Sequence, residues 1–286
     1  MPEKTSLSRF LPSSRSVTLS LFLPMKALFC FLSFFIVFGV FEINCCAGYC
    51  RYIAHRADMT DAPEESYAAV DKAIENGFSS IECDVWKTDS GGFLIHHDPT
   101  LYRLCGVRKN ICELDKTTRF FYPYLNKKYG TQFILTFEDM VSYAKKKGIN
   151  VFFHLKVKDN QFSKNDLKQM QIIIDKYEMQ NYSYLFSSNH KAVENMNGSI
   201  TSFKGGANSH SKLSSLKKYA RKIKEKNQCS FIIFKYIPGK TDKKELIEYC
   251  HEHWLRVGYY DIKDKEVTEN LKSIGADFLI LNAPVF

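Results

Sequence analysis

From Arg51 to the C-terminus, short runs rich in β-branched and aromatic residues alternate with stretches whose apolar residues fall at helical spacing. That is the order produced when parallel strands are joined by crossover helices. The strand candidates are RYIAH (51–55), SSIECDVW (79–86), GFLIHH (92–97), NVFFHLKV (150–157), YSYLFSS (182–188), SITSF (199–203), SFIIFKY (230–236), LRVGYY (255–260) and DFLIL (277–281). Nine candidates are one too many for a closed eight-stranded (β/α)8 barrel. Asp89-Ser90-Gly91-Gly92 is a tight-turn sequence, so the third candidate is predicted to fold back on the second as a hairpin excursion. The other eight then form a TIM barrel, with the excursion hanging His97 over its mouth.

The helical stripes fit this plan. The first has Thr60 or Asp61 as its cap, Pro63 near its first turn, Tyr67, Val70 and Ile74 facing inward, and Asn76-Gly77 as its stop. Later stripes are Phe137, Met140, Val141 and Ala144 before Gly148; Leu167, Met170, Ile173, Ile174 and Tyr177; Leu246, Ile247 and Cys250; and Val267, Leu271 and Ile274 before Gly275. With 286 residues, 45% of them apolar, the chain can bury one core, so residues 48–286 are read as a single domain.

Residues 1–47 differ. Arg9, Arg15 and Lys26 precede the uncharged run Ala27 to Phe41, too short to span a bilayer comfortably and suited to the apolar core of a signal peptide. Cys45 and Ala47 are small enough for a cleavage before Gly48, which predicts a secreted protein. The alternative is an uncleaved anchor over residues 18–41, and membrane association is predicted only through this leader. An oxidising destination suits the six cysteines beyond the cut, and Cys105 and Cys112, in one polar loop, are predicted to pair. The net charge of +9 is scattered over helical faces rather than gathered in a block, so nucleic acid is not read as a partner; no protein partner is inferred either.

The chemistry concentrates around Glu82 and Asp84. Residues two apart on a strand share a face, so these carboxylates point one way while Cys83 points the other. Such a pair can hold a hard divalent cation, Mg or Ca. Strand RYIAH ends in His55-Arg56 and the excursion in His97-Asp98. A metal with two imidazoles and a guanidinium points to phosphate-ester chemistry: a phosphodiester needs charge neutralisation on its non-bridging oxygens and a proton for its leaving oxygen.

The stretch from Ile53 to Gly106, with its His-Arg, Ala-Pro-Glu, Glu-x-Asp, Gly turn and His-Asp-Pro-Thr-Leu-x-Arg in that order, resembles glycerophosphodiester phosphodiesterases, more weakly continued to the closing SIGADFLILNAP. The resemblance implies a TIM barrel, a divalent metal, and hydrolysis of glycerophosphodiesters to glycerol 3-phosphate and an alcohol. It places catalysis on His55 and His97, phosphate binding on Arg56 and Lys156, and metal binding on Glu82 and Asp84, with Glu64 either a carboxylate near the metal or a helix-capping residue. The family's small Gly after His-Arg is Ala57 here, its Asn after Pro-Glu is Glu65, and the Glu of its Glu-x-Lys strand, a third metal ligand, is His154. His154 is expected to ligate through nitrogen. Tyr260 to Lys263, with Leu281 and Asn282, are expected to line the alcohol side of the mouth. Two other readings stay open: a lysophospholipase D or sphingomyelinase D-like phosphodiesterase using the same site, and a non-catalytic binding protein on this fold.

Overall fold

The computed structural model describes residues 50–157 and 162–285. The leader predicted over residues 1–47, with both its cleavage and its anchor alternatives, lies outside the described residues. Among the described residues no helix is long and apolar enough to cross a membrane.

Ten strands form one sheet: β1 (Arg51–Ala54), β2 (Ser80–Lys87), β3 (Phe93–Ile95), β4 (Leu135–Thr136), β5 (Asn150–Leu155), β6 (Ser183–Ser187), β7 (Phe203–Asn208), β8 (Phe231–Lys235), β9 (Arg256–Ile262) and β10 (Phe278–Leu281). Strands β1, β2 and β5 to β10 pair in parallel, and β1 bonds to both β2 and β10, which closes an eight-stranded barrel. Strand β3 pairs antiparallel with β2, Val85 opposite Ile95, and carries β4 on its other edge. GFLIHH is therefore the excursion that the turn sequence predicts.

Because strand side chains alternate, each barrel strand sends one set inward and one set out to the helices. The inward set is largely aromatic. Phe152 stacks on Tyr184 with centroids 4.2 Å apart, and Phe231 and Phe278 meet Phe152 edge-on. Arg51, at the start of β1, donates to the Tyr184 hydroxyl at 2.8 Å, and the Arg256 guanidinium lies 5.1 Å from the Phe203 and Phe278 rings. This plug fills the N-terminal half of the barrel, so polar inward positions gather at the C-terminal rim.

Several local expectations are corrected. Strand β7 runs over 203–208 rather than 199–203, because Gly205 and Gly206 disguise it. Packing demands both glycines: a Cβ at Gly205 would stand 2.5 Å from the Phe231 ring, and one at Gly206 would collide with the Tyr219 hydroxyl. The first helix, Tyr67–Glu75, is capped by Ser66, whose Oγ accepts from Ala69 N at 3.2 Å, not by Thr60 or Asp61. Asp61 instead pairs with Lys128. The buried face of that helix is Ala69, Val70 and Ala73, while Ile74 is exposed. The remaining predicted stripes pack on the barrel, Phe137, Met140, Val141 and Ala144 wholly buried.

Between β3 and β4, residues 98–134 fold as loops and short turns around a separate small core of Trp86, Leu94, Leu101, Ile111, Leu114, Tyr124 and Ile134. The predicted Cys105–Cys112 bridge is not formed. Cys105 turns into that core, its thiol 3.4 Å from the Tyr122 carbonyl oxygen to which it donates.

Candidate active site

Glu82 and Asp84 sit on the inner face of β2, and the parallel register sets Asp84 directly beside His154 of β5. One ligand atom from each of the three lies within 4.8 Å of the others. His154 Nδ1 is 2.9 Å from Asp84 Oδ1, and its ring stacks on Phe186 with centroids 4.8 Å apart. Lys156, one inward position further along, brings Nζ to 3.3 Å from the same oxygen. Glu82 Oε2 accepts the Arg56 backbone N–H at 3.2 Å.

Both carboxylates are buried, and their electrostatics diverge. Burial, with the neighbouring charge of Asp84, pushes Glu82 up to about 8. Burial also opposes ionisation of Asp84, but the His154 hydrogen bond and the positive charge of Lys156 outweigh it and hold that carboxyl well below its usual range. Asp84 Oδ2 is nevertheless buried without a hydrogen-bond partner. An orphaned carboxylate oxygen beside a second carboxyl that resists ionisation, with an imidazole alongside, is a donor set that fits a divalent cation.

The two predicted histidines flank this cluster. His55 Nδ1 is 2.6 Å from Asn282 Oδ1, and His97 Nδ1 is 2.7 Å from Asp98 Oδ1. Both partner oxygens can only accept, so each Nδ1 carries the proton and each Nε2 is left as the basic nitrogen. The Nε2 atoms lie 3.8 Å from Glu82 Oε2 for His55 and 4.0 Å from Asp84 Oδ2 for His97. Burial lowers both imidazoles from 6.5, so they rest neutral at pH 7.

A second network braces the first. Arg103 donates Nη1 and Nη2 to the two oxygens of Glu64 at 2.8 and 2.6 Å and Nε to Asp98 at 2.6 Å. Glu64 also accepts from Arg56 Nη1 at 3.2 Å. Glu64 therefore neither caps the helix nor joins the Glu82–Asp84–His154 cluster; it is gripped by two arginines and fixes the direction of Arg56. The turn that presents Arg56 is left-handed, with φ of 51° at Arg56, 65° at Ala57 and 58° at Glu65. Ala57 bears a strain of about 1–2 kcal/mol there that glycine would not.

All the predicted site residues except Glu64 line one cavity of about 300 Å³, to which Phe186, Ile233, Tyr260 and Ile280 add an apolar lining. Asp261 and Asn282 also line it, whereas Ile262 and Leu281 face the outer core. Expected on the alcohol side, Asn282 instead orients His55. Asp98, Arg103 and Glu65 were not singled out by sequence for any role. Glu65, wholly buried, accepts the Asp84 backbone N–H at 2.6 Å. The Arg of His-Asp-Pro-Thr-Leu-x-Arg was the one available signal for Arg103.

The family model described as the glycerophosphoryl diester phosphodiesterase family matches residues 55–285. A curated protein from Mus musculus, glycerophosphodiester phosphodiesterase 1, is 30% identical over 109 residues, 36% of this chain and 33% of its own length. The match thus spans about a third of that relative. Among solved structures, a phosphodiesterase from Oleispira antarctica, in complex with the product sn-glycerol-3-phosphate, superposes with a TM-score of 0.71 at 17% identity over 82% of this chain and 94% of that one. A glycerophosphoryl diester phosphodiesterase structure from Silicibacter pomeroyi gives 0.70 at 14% identity over 83% and 91%. At such identities the likeness to solved structures establishes the barrel alone.

Proposed function

The chain belongs to the glycerophosphoryl diester phosphodiesterase family, and from that premise we propose that it hydrolyses glycerophosphodiesters to glycerol 3-phosphate and an alcohol. The observation that carries this reading is the aim of two imidazole Nε2 atoms at one buried carboxylate pair, 3.8 Å from Glu82 Oε2 and 4.0 Å from Asp84 Oδ2. A divalent cation, Mg or Ca, held by Glu82, Asp84 and His154 would supply positive charge against the non-bridging phosphate oxygens. Arg56 and Lys156 add two further cationic groups to the lining of the same cavity.

Proton transfer falls to the histidines. His55 is tied to a neutral amide and acts as the base, taking the proton of the attacking hydroxyl at Nε2. His97 is bonded to the Asp98 carboxylate and faces Asp84, so of the two rings it is the better able to hold a second proton; in that protonated form its Nε2 proton passes to the departing oxygen, while the proton taken up by His55 returns to solvent. Export through residues 1–47 belongs to the same proposal and rests on the leader's sequence.

Incubating the protein with glycerophosphocholine and metal, and assaying glycerol 3-phosphate and choline separately, tests this. Both products should appear, and His55→Ala or His97→Ala, folded by circular dichroism, should lose about a hundredfold or more in kcat. Undiminished turnover in either variant would overturn the mechanism. Phosphocholine and glycerol in place of choline and glycerol 3-phosphate would place the cut on the other side of phosphorus and overturn the proposal, whereas the lysophospholipase D reading, which breaks the same bond, predicts faster turnover of lysophosphatidylcholine than of glycerophosphocholine.

A further inference from the structure

The excursion between β3 and β4 carries a surface that the hydrolytic chemistry does not use. Of the large apolar side chains exposed among the described residues, half fall within residues 102–125: Tyr102 (57%), Val107, Phe120, Phe121 (77%) and Leu125 (61%). Most of them gather about one helical turn, Tyr102–Cys105. The Leu125 side chain lies over Gly106, where an added Cβ would meet it at 3.6 Å, and Leu125 N bonds to Leu104 O at 2.8 Å. The Cys105 thiol meets the Tyr122 carbonyl oxygen at 3.4 Å, so the backbone that carries Phe121 runs beside the same turn. Folding leaves these side chains in water, although the excursion has a small core of its own.

The surrounding charge is one-sided. Residues 101–130 hold seven Lys and Arg against two acids, Glu113 and Asp115. Arg103, Lys109, Arg119 and Lys128 are spent on ion pairs. Arg108 lies 5.4 Å over the Tyr102 ring and, like Lys127, has no ion pair among the described residues, whereas Lys116 lines a separate groove with Glu138 and Asp139. Exposed aromatic and aliphatic side chains ringed by uncompensated cations are the composition that seats at an anionic lipid interface: rings enter the headgroup layer and cations meet lipid phosphate and carboxylate. The place in the fold agrees, since Arg103 of the same helical turn holds Glu64 and Asp98 at the edge of the catalytic mouth.

We infer that the excursion, through Tyr102, Phe121 and Leu125 with Arg108 and Lys127, docks this barrel on the surface of an anionic phospholipid bilayer, presenting the mouth to lipid-borne phosphodiesters. Docking is read without turnover, so its failure is distinct from failure of the hydrolase reading.

Hydrogen exchange of the full chain, with phosphatidylserine–phosphatidylcholine vesicles and with phosphatidylcholine alone, reports on the excursion locally, whatever residues 1–47 contribute. Segment 101–127 should gain protection on the anionic vesicles, and F121D/L125D should abolish that gain. Sedimentation with vesicles should show R108E/K127E losing about tenfold in partitioning at low salt, with the difference vanishing at high salt. Both double variants change exposed positions and should keep wild-type hydrolysis of soluble glycerophosphocholine. Unaltered exchange over 101–127 on anionic vesicles would overturn the inference. So would protection that appears without lipid and rises with protein concentration, which would make the patch a self-association surface.

Discussion

Arg103→Met should cost about 2–3 kcal/mol of folding stability, nearly all of it through Glu64. Arg103 makes three charge-assisted hydrogen bonds, two to Glu64 and one to Asp98. Such bonds contribute roughly 1.5–3 kcal/mol each in isolation, but the sum overstates the loss, because removing the guanidinium lets water reach whatever can be wetted. The Arg103 side chain is 44% exposed and that of Asp98 24%, so Asp98 regains solvent. The Glu64 side chain is only 8% exposed and keeps one partner, Arg56, at 3.2 Å. A buried carboxylate stripped of a bidentate partner is the costly part. Urea denaturation measures it as a fall in midpoint at unchanged slope. Glu64→Gln in the Arg103→Met background should recover part of the loss, giving a coupling of about 1–2 kcal/mol in the double-mutant cycle. Arg103→Lys should resemble Met more than Arg, because an ammonium cannot fork to both Glu64 oxygens while reaching Asp98. A loss below about 0.5 kcal/mol for Arg103→Met, or a coupling indistinguishable from zero, would refute the claim that Glu64 depends on this fork.

Three further outcomes follow from named contacts. Glu65 is driven well above 4.5 by burial and then by the charge of Asp84, so the stability of the wild type should fall as pH rises from about 4.5 toward the folded-state value; Glu65→Gln, keeping the acceptor oxygen for Asp84 N, should match wild type at pH 4 and gain on it steadily above, and parallel stability curves would sink this. His154→Glu should tighten Mg and Ca and weaken Zn in calorimetric titrations, whereas an unchanged metal profile would remove His154 from the ligand set. Gly205→Ala, which drives a Cβ to 2.5 Å from the buried Phe231 ring, should cost about 1–3 kcal/mol in thermal unfolding, and a neutral effect would show that the barrel can yield there.

The barrel was legible because its strands are short, apolar and bounded by turn residues, and because Asp89 to Gly92 identified the surplus strand as a hairpin. Strand β7 escaped since its inward and outward positions include Gly205 and Gly206, whose absent side chains are required by Phe231 and Tyr219, partners 13 or more positions away. The site divides the same way. Glu82, Asp84, His55 and His97 stand in local motifs whose spacing reveals a shared face. Asn282 and Arg103 act on partners 227 and 39 residues distant; the His-Asp-Pro-Thr-Leu-x-Arg motif ends in Arg103, but nothing local names Glu64 as its partner or His55 as that of Asn282. The Ser66 cap was missed for a nearer reason: Asp58 accepts N–H donors from Thr60 to Ala62 in a turn of its own, which puts a cap-like sequence before the helix begins.

The two departures that most alter the site's charge meet at Asp84. His154 bonds to its side chain and Glu65 accepts from its backbone N–H. Where the family resemblance implies a carboxylate at 154 and an amide at 65, this chain has an imidazole and a carboxyl. Moving an acid from the rim to the interior is not a neutral exchange. At 65 it is wholly buried, one oxygen lacks any hydrogen-bond partner, and burial with the charge of Asp84 disfavours its ionisation, so it resembles the amide in resisting negative charge and in accepting from Asp84 N. The cation site is left with two carboxylates where three are implied, and Lys156 only 3.3 Å from one of them. A cation held by this proposed set would meet two carboxylates and an imidazole nitrogen, so His154→Glu should move metal preference toward the hard ions while Glu65→Gln should leave it unmoved.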